Sequence, residues 1–265
     1  MKHQVSESDK ACLHFRQYGK GKKVLLCFHG FGQDHQVYRI LEDRFGADYT
    51  IFSFDLFYHG QSFWHHKCEP ILLKDWEQMM SQFLEEHQIK QFSVVGYSMG
   101  ARFALALYNG MPKRINQLVL LAPDGISKSL TYWFMTSFST TRKLLRYLVV
   151  NPQPYRRLLL ILLRLRLVDK GVLKFSETQM QTRAMRRRVY YTWVMFRKLY
   201  ASSSITAKNI NDNATDLKIV MGEFDKVIGL ESIKPLLKHF PKSLMYLSIG
   251  HTGLLKAWAN TSEPF

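Results

Sequence analysis

Three side chains of complementary chemistry follow short apolar runs in the order serine, acid, histidine: Ser98, Asp225 and His251. A serine hydroxyl is a poor nucleophile unless a neighbouring base takes its proton and a third group orients that base. This chain order is one of the known orders of such a triad. The sequence therefore predicts that Ser98 is a nucleophile, that His251 is its base and that Asp225 orients the imidazole.

The setting of Ser98 strengthens this prediction. Ser98 is the centre of G-Y-S-M-G (residues 96–100), between the β-rich run FSVV and the helical pattern MGARFALALY. A G-x-S-x-G segment between a strand and a helix forms a tight turn, the nucleophile elbow, which exposes the serine hydroxyl above the sheet. Bulky residues two positions before or after the serine would clash in that turn, so we expect Gly96 and Gly100 to be required.

The acid is the member of the triad with rival candidates. Asp225 directly follows the strand-like run LKIVMG, and Glu223 lies two residues before it. Asp124 follows another strand-like run, QLVLLA, and stays open as an alternative. The base has a single rival after Ser98, His239, which falls in the helical pattern at residues 231–240 and is expected on the surface.

The segment H-G-F-G (residues 29–32) follows the run VLLCF, another predicted strand. We expect the backbone N–H groups of Phe31 and Met99 to form an oxyanion hole, which stabilises the negative charge that develops on a carbonyl oxygen under attack. Gly30 and Gly32 would let the backbone approach closely at this point. His29 is expected to hold the loop rather than to act as a second base.

Six apolar, β-rich runs predict strands that are buried on both faces, at residues 24–29, 50–55, 92–97, 117–122, 217–222 and 244–249. Helical patterns separate them, the longest at residues 71–89. This alternation predicts an α/β fold with a mostly parallel sheet covered by helices, and the site residues would meet at the carboxyl ends of the strands. Residues 12–19 are a candidate for an antiparallel edge strand.

The chain has 265 residues and a net charge of +16, and nearly all of this excess falls in one block. Residues 126–205 contain 16 Lys and Arg residues and two acidic ones, a local net charge of +14. So sharp a shift in composition indicates an inserted module. Inside it, residues 183–200 fit an amphipathic helix, whose cationic arc is expected to face solvent. That arc consists of Arg183, Arg186, Arg187, Arg197 and Lys198.

Composition excludes several classes of protein. Apolar residues make up 46% of the chain, too many for a disordered protein. Three cysteines (Cys12, Cys27 and Cys68) without a C-x-x-C motif predict neither a disulfide framework nor a cysteine metal cluster. The apolar stretch 158–168 is shorter than the roughly 20 residues of a membrane span, and Arg164 and Arg166 interrupt it. The polar first ten residues lack the apolar core of a signal peptide, so a cytoplasmic location is expected.

Together, the motifs F-H-G-F-G, D-L-F-Y-H-G-Q-S, G-Y-S-M-G, G-E-F-D and G-H-T-G resemble those of the α/β-hydrolase superfamily in type and order, over residues 24–255. The resemblance implies an α/β-hydrolase core at residues 1–125 and 207–265, with a helical, basic cap at 126–206 over the active site. Some members take their acid from the earlier strand, at the position of Asp124. In the turn at residues 55–62, Phe57 and Tyr58 replace the usual Pro-Gly. Serine at 98 argues against dehalogenase and epoxide hydrolase chemistry, which uses aspartate there.

The expected activity is that of a serine hydrolase, most simply a carboxylesterase or lipase-like acyl hydrolase that forms an acyl-enzyme and needs no cofactor or metal. The resemblance leaves open C–C bond hydrolase, aminopeptidase, thioesterase and lyase activities, and a ligand-binding protein that retains the fold. The expected substrate is a small ester with a medium or long acyl chain. The basic cap is also expected to contact anionic membranes peripherally, and without a nucleic-acid-binding motif no nucleic acid is expected as a partner.

Overall fold

The computed structural model describes residues 4–8, 11–65, 69–127, 130–165 and 178–261. Within these ranges the chain forms a sheet of nine strands with helices packed against it. The strands are β1 (Gln4–Ser8), β2 (Ala11–Tyr18), β3 (Lys23–Phe28), β4 (Tyr49–Phe54), β5 (Phe63–Trp64), β6 (Phe92–Tyr97), β7 (Ile115–Leu121), β8 (Asp216–Gly222) and β9 (Leu244–Leu247).

The strand order is β1-β2-β4-β3-β6-β7-β8-β9, with the short β5 paired to β2. All neighbours from β4 to β9 in this order pair in parallel, while β2 pairs antiparallel with β1, β4 and β5. The predicted mostly parallel sheet is therefore confirmed. Residues 12–19 fold as an antiparallel strand, β2, as expected, but β2 is not the edge strand, because β1 lies outside it. Its sequence QVSES has one apolar residue, so hydropathy gives no strand signal.

Helices connect the strands and cover the sheet. They are α1 (Glu42–Phe45), α2 (Leu73–Glu86), α3 (Met99–Gly110), α4 (Leu130–Ser137), α5 (Ser139–Val150), α6 (Pro152–Arg164), α7 (Arg183–Met195), α8 (Ser203–Asn213), α9 (Leu230–Leu237) and α10 (Leu254–Ala259). The periodic pattern at 71–89 indeed folds as a helix, α2, and its buried side is formed by Trp76, Met79, Met80, Phe83 and Leu84. No helix in the described ranges is both long and apolar enough to cross a bilayer.

The core lies on both faces of the sheet, as the near-continuous apolar runs predict. On β7, Leu118 and Leu120 pack into one apolar cluster, whereas Val119 and Leu121 pack into the other. Successive side chains of a strand point to opposite faces, so a strand with helices on both sides must be apolar at every position. Cys12 and Cys27 are buried free thiols, and Cys68 lies outside the described residues.

In the described part of the basic block, helices α4 to α7 follow β7 before the chain returns to the sheet. Helix α5 packs against α4, α6 and α7, and Asn151 separates α5 from α6. Helix α8 packs against α3 and α9, beside the sheet. The division into a cap at 126–206 and a core on either side stays a prediction.

The amphipathic pattern at 183–200 does not form one continuous helix. Helix α7 ends at Met195, and a 3₁₀ turn covers the next three residues. The arc of cations does not face solvent throughout, because two of its guanidinium groups turn back onto the backbone. Arg186 donates to the carbonyls of Met180 and Gln181, and Arg197 donates to that of Val194. Arginine can satisfy such carbonyl groups from a long side chain, an option that a helical wheel does not represent.

The turn after β4 is organised by the buried carboxylate of Asp55. One of its oxygens accepts from the backbone N–H and from Nδ1 of His35, both at 2.8 Å. The other accepts from Nδ1 of His14 and the backbone N–H of Gln61, both at 2.9 Å. Burial alone raises the pKa of this carboxyl, but the hydrogen bonds from Gln61 and His35 outweigh it, so the pKa lies below its ordinary value.

We predict that Asp55→Asn lowers the free energy of unfolding by about 3 kcal/mol at neutral pH, because an amide NH₂ then faces N–H donors in a buried place. A carboxyl whose pKa is lowered on folding stabilises the fold above its unfolded pKa, near 4, and loses that contribution as the pH falls further. The difference in the free energy of unfolding between the wild type and Asp55→Asn should therefore become smaller below about pH 4.

Denaturant titrations at several pH values measure this difference, with Asp43→Asn, in an exposed carboxylate of α1, as the control. If Asp55→Asn lowered the free energy of unfolding at neutral pH no more than Asp43→Asn does, the role given to Asp55 would be contradicted.

Candidate active site

Ser98 is the single residue between β6 and α3, and its backbone is strained. Its φ of 51° and ψ of −115° lie where residues other than glycine are rare. Three backbone hydrogen bonds hold it there. Its N–H donates to the carbonyl of Leu121 at 2.8 Å, and its own carbonyl accepts from the N–H groups of Ala101 and Asp124 at 3.0 and 3.1 Å. These bonds fix the turn that presents the hydroxyl.

The glycines on either side of Ser98 leave no space for a side chain. A Cβ atom at Gly96 would lie 2.5 Å from Cα of Ala101, and one at Gly100 would lie 2.0 Å from the carbonyl oxygen of Phe28. Contacts this short with backbone atoms cannot be relieved by a change of rotamer. Both glycines are therefore required by the close approach of α3 to the strands, as the sequence pattern predicts.

The structure brings Ser98, His251 and Asp225 into one hydrogen-bonded chain. Nε2 of His251 lies 3.0 Å from Oγ of Ser98, and Nδ1 lies 2.7 Å from Oδ2 of Asp225. The other oxygen of Asp225 accepts from the N–H groups of Val227 and Ile228 at 2.8 and 2.9 Å. Burial by itself raises the pKa of Asp225. The interactions with His251 and with these N–H groups lower the pKa by more than burial raises it, so the pKa lies below its ordinary value.

The charge state of Asp225 settles the direction of both hydrogen bonds. A carboxyl with a lowered pKa is ionised at neutral pH and only accepts, so Nδ1 of His251 carries the proton that it donates. In the neutral imidazole Nε2 then has a free lone pair and accepts from the hydroxyl of Ser98. This is the arrangement that general-base activation of a serine requires.

Tyr97 is a site residue that the sequence analysis did not identify. Its hydroxyl donates to the backbone carbonyl of His251 at 2.6 Å, and its ring stacks on the imidazole at 5.5 Å between centroids. Burial, and to a lesser degree the charge of Asp225, raises the pKa of Tyr97 to about 12, so it stays protonated. Tyr97 thereby ties the strand that carries Ser98 to the loop that carries His251. The sequence signal that could have identified Tyr97 is its position directly before Ser98 in G-Y-S-M-G.

The rival acids point elsewhere. Glu223 is exposed and accepts from the hydroxyl of Ser248 at 2.7 Å. Asp124 lies 2.7 Å from the guanidinium of Arg102. His239, the rival base, is exposed beside Phe240, as expected. Of these candidates, the structure joins only Asp225 to the imidazole of His251.

The loop after β3 carries one of the two expected oxyanion donors. The N–H of Gly30 donates to Oε1 of Gln33 at 2.9 Å, and that of Gly32 donates to Nε2 of His59 at 3.0 Å. Between them, the N–H of Phe31 has no acceptor among the residues that the structure describes. The N–H of Met99 is also without one there, since the first residue of a helix has no intrahelical acceptor. Both expected donors are thus available to a ligand.

Two buried imidazoles hold this loop in place. Nδ1 of His29 donates to the carbonyl of Gly30, and its Nε2 accepts from the N–H of Leu56 at 2.9 Å. His59 donates through Nδ1 to the carbonyl of Phe57 and accepts from Gly32. Burial lowers the pKa of His29 to about 4 and that of His59 well below its usual range, so both are neutral. His29 has the structural position expected of it.

Tyr58 occupies the position where the family pattern has glycine, and it adopts the left-handed backbone with φ of 67°. Its hydroxyl donates to the carbonyl of Trp64 at 3.0 Å. Its ring stacks on that of Tyr191 from α7, with centroids 5.2 Å apart and planes 13° from parallel. The substitution therefore keeps the turn and adds a contact between the turn and the basic block.

Arg102 on α3 makes another connection to the basic block. From α3 it donates to Asp124 and, at 2.9 Å, to the hydroxyl of Tyr132 on α4. That hydroxyl donates in turn to the carbonyl of Trp193 on α7, at 2.8 Å. Burial lowers the pKa of Arg102, but the charge of Asp124 more than offsets it, so the guanidinium stays charged. Asp124 thus binds Arg102, and Arg102 in turn contacts α4 through Tyr132, whose hydroxyl bonds α7.

One group of side chains has the residue types of a metal site. His14, His35 and Asp55 lie close together, and two imidazoles with a carboxylate suit several transition metals. Both Nδ1 atoms are, however, already hydrogen-bonded to the carboxylate, and two backbone N–H groups share its oxygens. A hydrogen-bonded network thus accounts for this cluster.

The family model for the α/β hydrolase fold matches residues 23–254, which is most of the chain. The chain belongs to this family. A solved structure of MGS-M2, an α/β hydrolase from a Medee basin deep-sea metagenome library, superposes with a TM-score of 0.66 at 16% identity, covering 95% of this chain and 92% of that one. At this identity the likeness concerns the fold.

Curated relatives include hydrolases and an esterase. The uncharacterized hydrolase YugF of Bacillus subtilis is 24% identical over 93% of this chain and 89% of its own length. The pimeloyl-[acyl-carrier protein] methyl ester esterase of Legionella pneumophila is 30% identical over 40% of each chain. A dihydrolipoyllysine-residue acetyltransferase component of Cupriavidus necator is 27% identical over 51% of this chain, a match that spans only 36% of that protein. This member of the α/β-hydrolase fold family thus has a hydrolase and an esterase among its relatives, at 24% and 30% identity.

We predict that Asp225→Asn lowers kcat of this α/β-hydrolase roughly a thousandfold or more, because the imidazole loses its anionic partner and its tautomer. Asp124→Asn should change kcat far less, since that carboxylate bonds Arg102, and should lower the melting temperature instead. Steady-state kinetics on an activated ester, together with thermal denaturation, separate the two effects. The opposite ranking of kcat would assign the acid to the end of β7.

Proposed function

We propose that this protein is a serine carboxylic-ester hydrolase that works through an acyl-enzyme on Ser98. The observation that carries the proposal is the chain from Oγ of Ser98 through His251 to the ionised Asp225, next to two free backbone N–H groups. Nucleophile, base, orienting acid and oxyanion donors are the complete set of groups that acyl transfer needs.

In the proposed reaction, Oγ of Ser98 bonds to the carbonyl carbon of the ester while Nε2 of His251 takes its proton. The carbonyl oxygen becomes negative and accepts from the N–H groups of Phe31 and Met99. When the C–O bond to the leaving group breaks, the imidazolium returns the proton to the departing alcohol. Water then adds to the acyl-enzyme with His251 again as base, which releases the acid and restores Ser98.

The surroundings of the triad support an apolar acyl group. Phe31 in the oxyanion loop and Ile228, three residues after Asp225, are partly buried apolar side chains. The esterase name of the Legionella relative also favours a carboxylic ester as the substrate. We therefore propose esters with medium or long acyl chains as the preferred class, ahead of amides, thioesters and C–C bonds.

The test is turnover of p-nitrophenyl esters of increasing chain length, combined with labelling by a fluorophosphonate. We predict labelling of the wild type and a loss of several orders of magnitude in kcat for Ser98→Ala, with the melting temperature retained. Ser248→Ala is the matched control, because it removes a hydroxyl close to His251 that bonds Glu223 and not the triad.

More than a few per cent of wild-type turnover in Ser98→Ala would exclude this serine as the nucleophile. Folded wild-type protein that takes no label and cleaves no ester would contradict the proposed function.

A further inference from the structure

Helices α4, α5 and α6 turn large apolar side chains towards solvent on the side away from the sheet. We call the exposed side chains of residues 130–165 the outer cap face. On α4 and just after it, Trp133, Phe134 and Phe138 form an aromatic group with ring centroids 5.6 and 5.9 Å apart. Trp133 is 50% exposed and Phe134 53%. Aromatic side chains this exposed are uncommon on a surface that faces only water.

Helix α6 has the same character along one side. At about 100° per residue, Arg157, Leu160, Ile161, Arg164 and Leu165 fall on one arc of roughly 140°, and all five are exposed. The opposite side holds the buried Leu159. The exposed arc thus alternates aliphatic side chains with arginines, whereas a solvated surface arc is mainly polar.

Helix α5 continues the pattern between its two neighbours. Leu145 and Val149 face inwards, while Lys143, Leu144, Arg146, Tyr147 and Val150 are exposed. Helix α5 packs against both α4 and α6, so these exposed side chains lie on neighbouring helices. Residues 130–165 contain six Lys and Arg residues and no Asp or Glu, so the region is both apolar and uniformly cationic.

We propose that the outer cap face binds the surface of a bilayer that contains anionic phospholipid. Cations bind the lipid headgroups, and the aromatic and aliphatic side chains enter the boundary between headgroups and acyl chains. Tryptophan is a residue type that membrane interfaces favour, because its ring is apolar and its N–H is polar. The assigned partner is a lipid surface, which goes beyond the proposed ester hydrolysis.

Other occupants fit the observations less well. In a symmetric dimer through this face the same cations would meet each other, with no acidic residue in 130–165 to pair with them. Nucleic acid complements the charge but offers little apolar surface for the exposed leucine, isoleucine and tryptophan side chains, and binding of an acidic protein is an outcome of the test below. A bilayer with anionic headgroups matches both properties.

The first experiment is co-sedimentation with vesicles of phosphatidylcholine alone or with added phosphatidylglycerol. We predict binding to the anionic vesicles at low salt, loss of most of it near 1 M salt, and little binding to neutral vesicles. A triple variant should bind the anionic vesicles at least tenfold more weakly; it combines Arg146→Glu, Arg157→Glu and Arg164→Glu. The matched control reverses three exposed lysines elsewhere, Lys74, Lys238 and Lys242, and should bind nearly as the wild type does.

A second pair of variants tests the apolar part of the proposal. Ile161 on α6 is 56% exposed, and Ile205 on α8 is 55% exposed. We predict that Ile161→Ser weakens vesicle binding severalfold and that Ile205→Ser does not. Hydrolysis of a small water-soluble ester and the melting temperature serve as measures of folding for all variants.

Tryptophan fluorescence shows whether the face enters the bilayer. Trp64, Trp76 and Trp258 are buried, so Trp133 and Trp193 are the accessible reporters. Brominated acyl chains in anionic vesicles should quench the emission, and this quenching should be lost in Trp133→Phe and kept in Trp193→Phe.

Absence of vesicle binding, equal losses for the control reversal, or binding without quenching of Trp133 would overturn the proposal. Lipid-independent binding of an acidic protein such as acyl carrier protein, through the same arginines, would assign the face to a protein partner instead.

Discussion

Ser98 has to turn the chain from β6 into α3 in one residue, and its positive φ is the constraint on which the rest of the site depends. A strained residue of this kind costs about 1–3 kcal/mol, so the surrounding structure must hold it. The carbonyl of Leu121 on β7 and the N–H groups of Ala101 and Asp124 do so. The close approach of α3 to β6 in turn requires glycine at 96, and its close approach to β3 requires glycine at 100. The position of Ser98 therefore depends on how β3, β6, β7 and α3 pack together.

The other site residues reach Ser98 because parallel strands end at the same edge of the sheet. β3 leads to the oxyanion loop, β8 to Asp225 and β9 to the segment with His251. Each of these loops has its own anchor: His59 for Gly32, two backbone N–H groups for Asp225, and Tyr97 for His251. Buried neutral imidazoles and a protonated tyrosine are suitable anchors, because they are rigid, directional and uncharged.

The sequence predicts much of this arrangement, since its signals are local. Apolar runs indicate the parallel strands, and G-x-S-x-G indicates the elbow. The places of Asp225 and His251 after two strands predict the residues that the structure joins to Ser98 by hydrogen bonds. The contacts that were missed join residues far apart in the chain. Examples are Arg102 with Tyr132, Tyr58 with Tyr191, and Tyr97 with the backbone of His251. Such pairs leave no periodic pattern, and a wheel drawn on 183–200 likewise cannot show that Arg186 bonds the preceding backbone.

The basic block meets the core through the stack of Tyr58 on Tyr191 and the hydrogen bond from Arg102 to Tyr132. Its outer side is exposed, apolar and cationic. The central claim is nevertheless that Ser98 becomes acylated. Rapid acid quenching of the reaction with a p-nitrophenyl ester, followed by peptide mass mapping, tests it most directly. The account predicts one acyl group per chain, on the peptide that contains Ser98 and at its hydroxyl. An acyl group on another residue, or turnover that leaves no acylated protein at any time point, would contradict it.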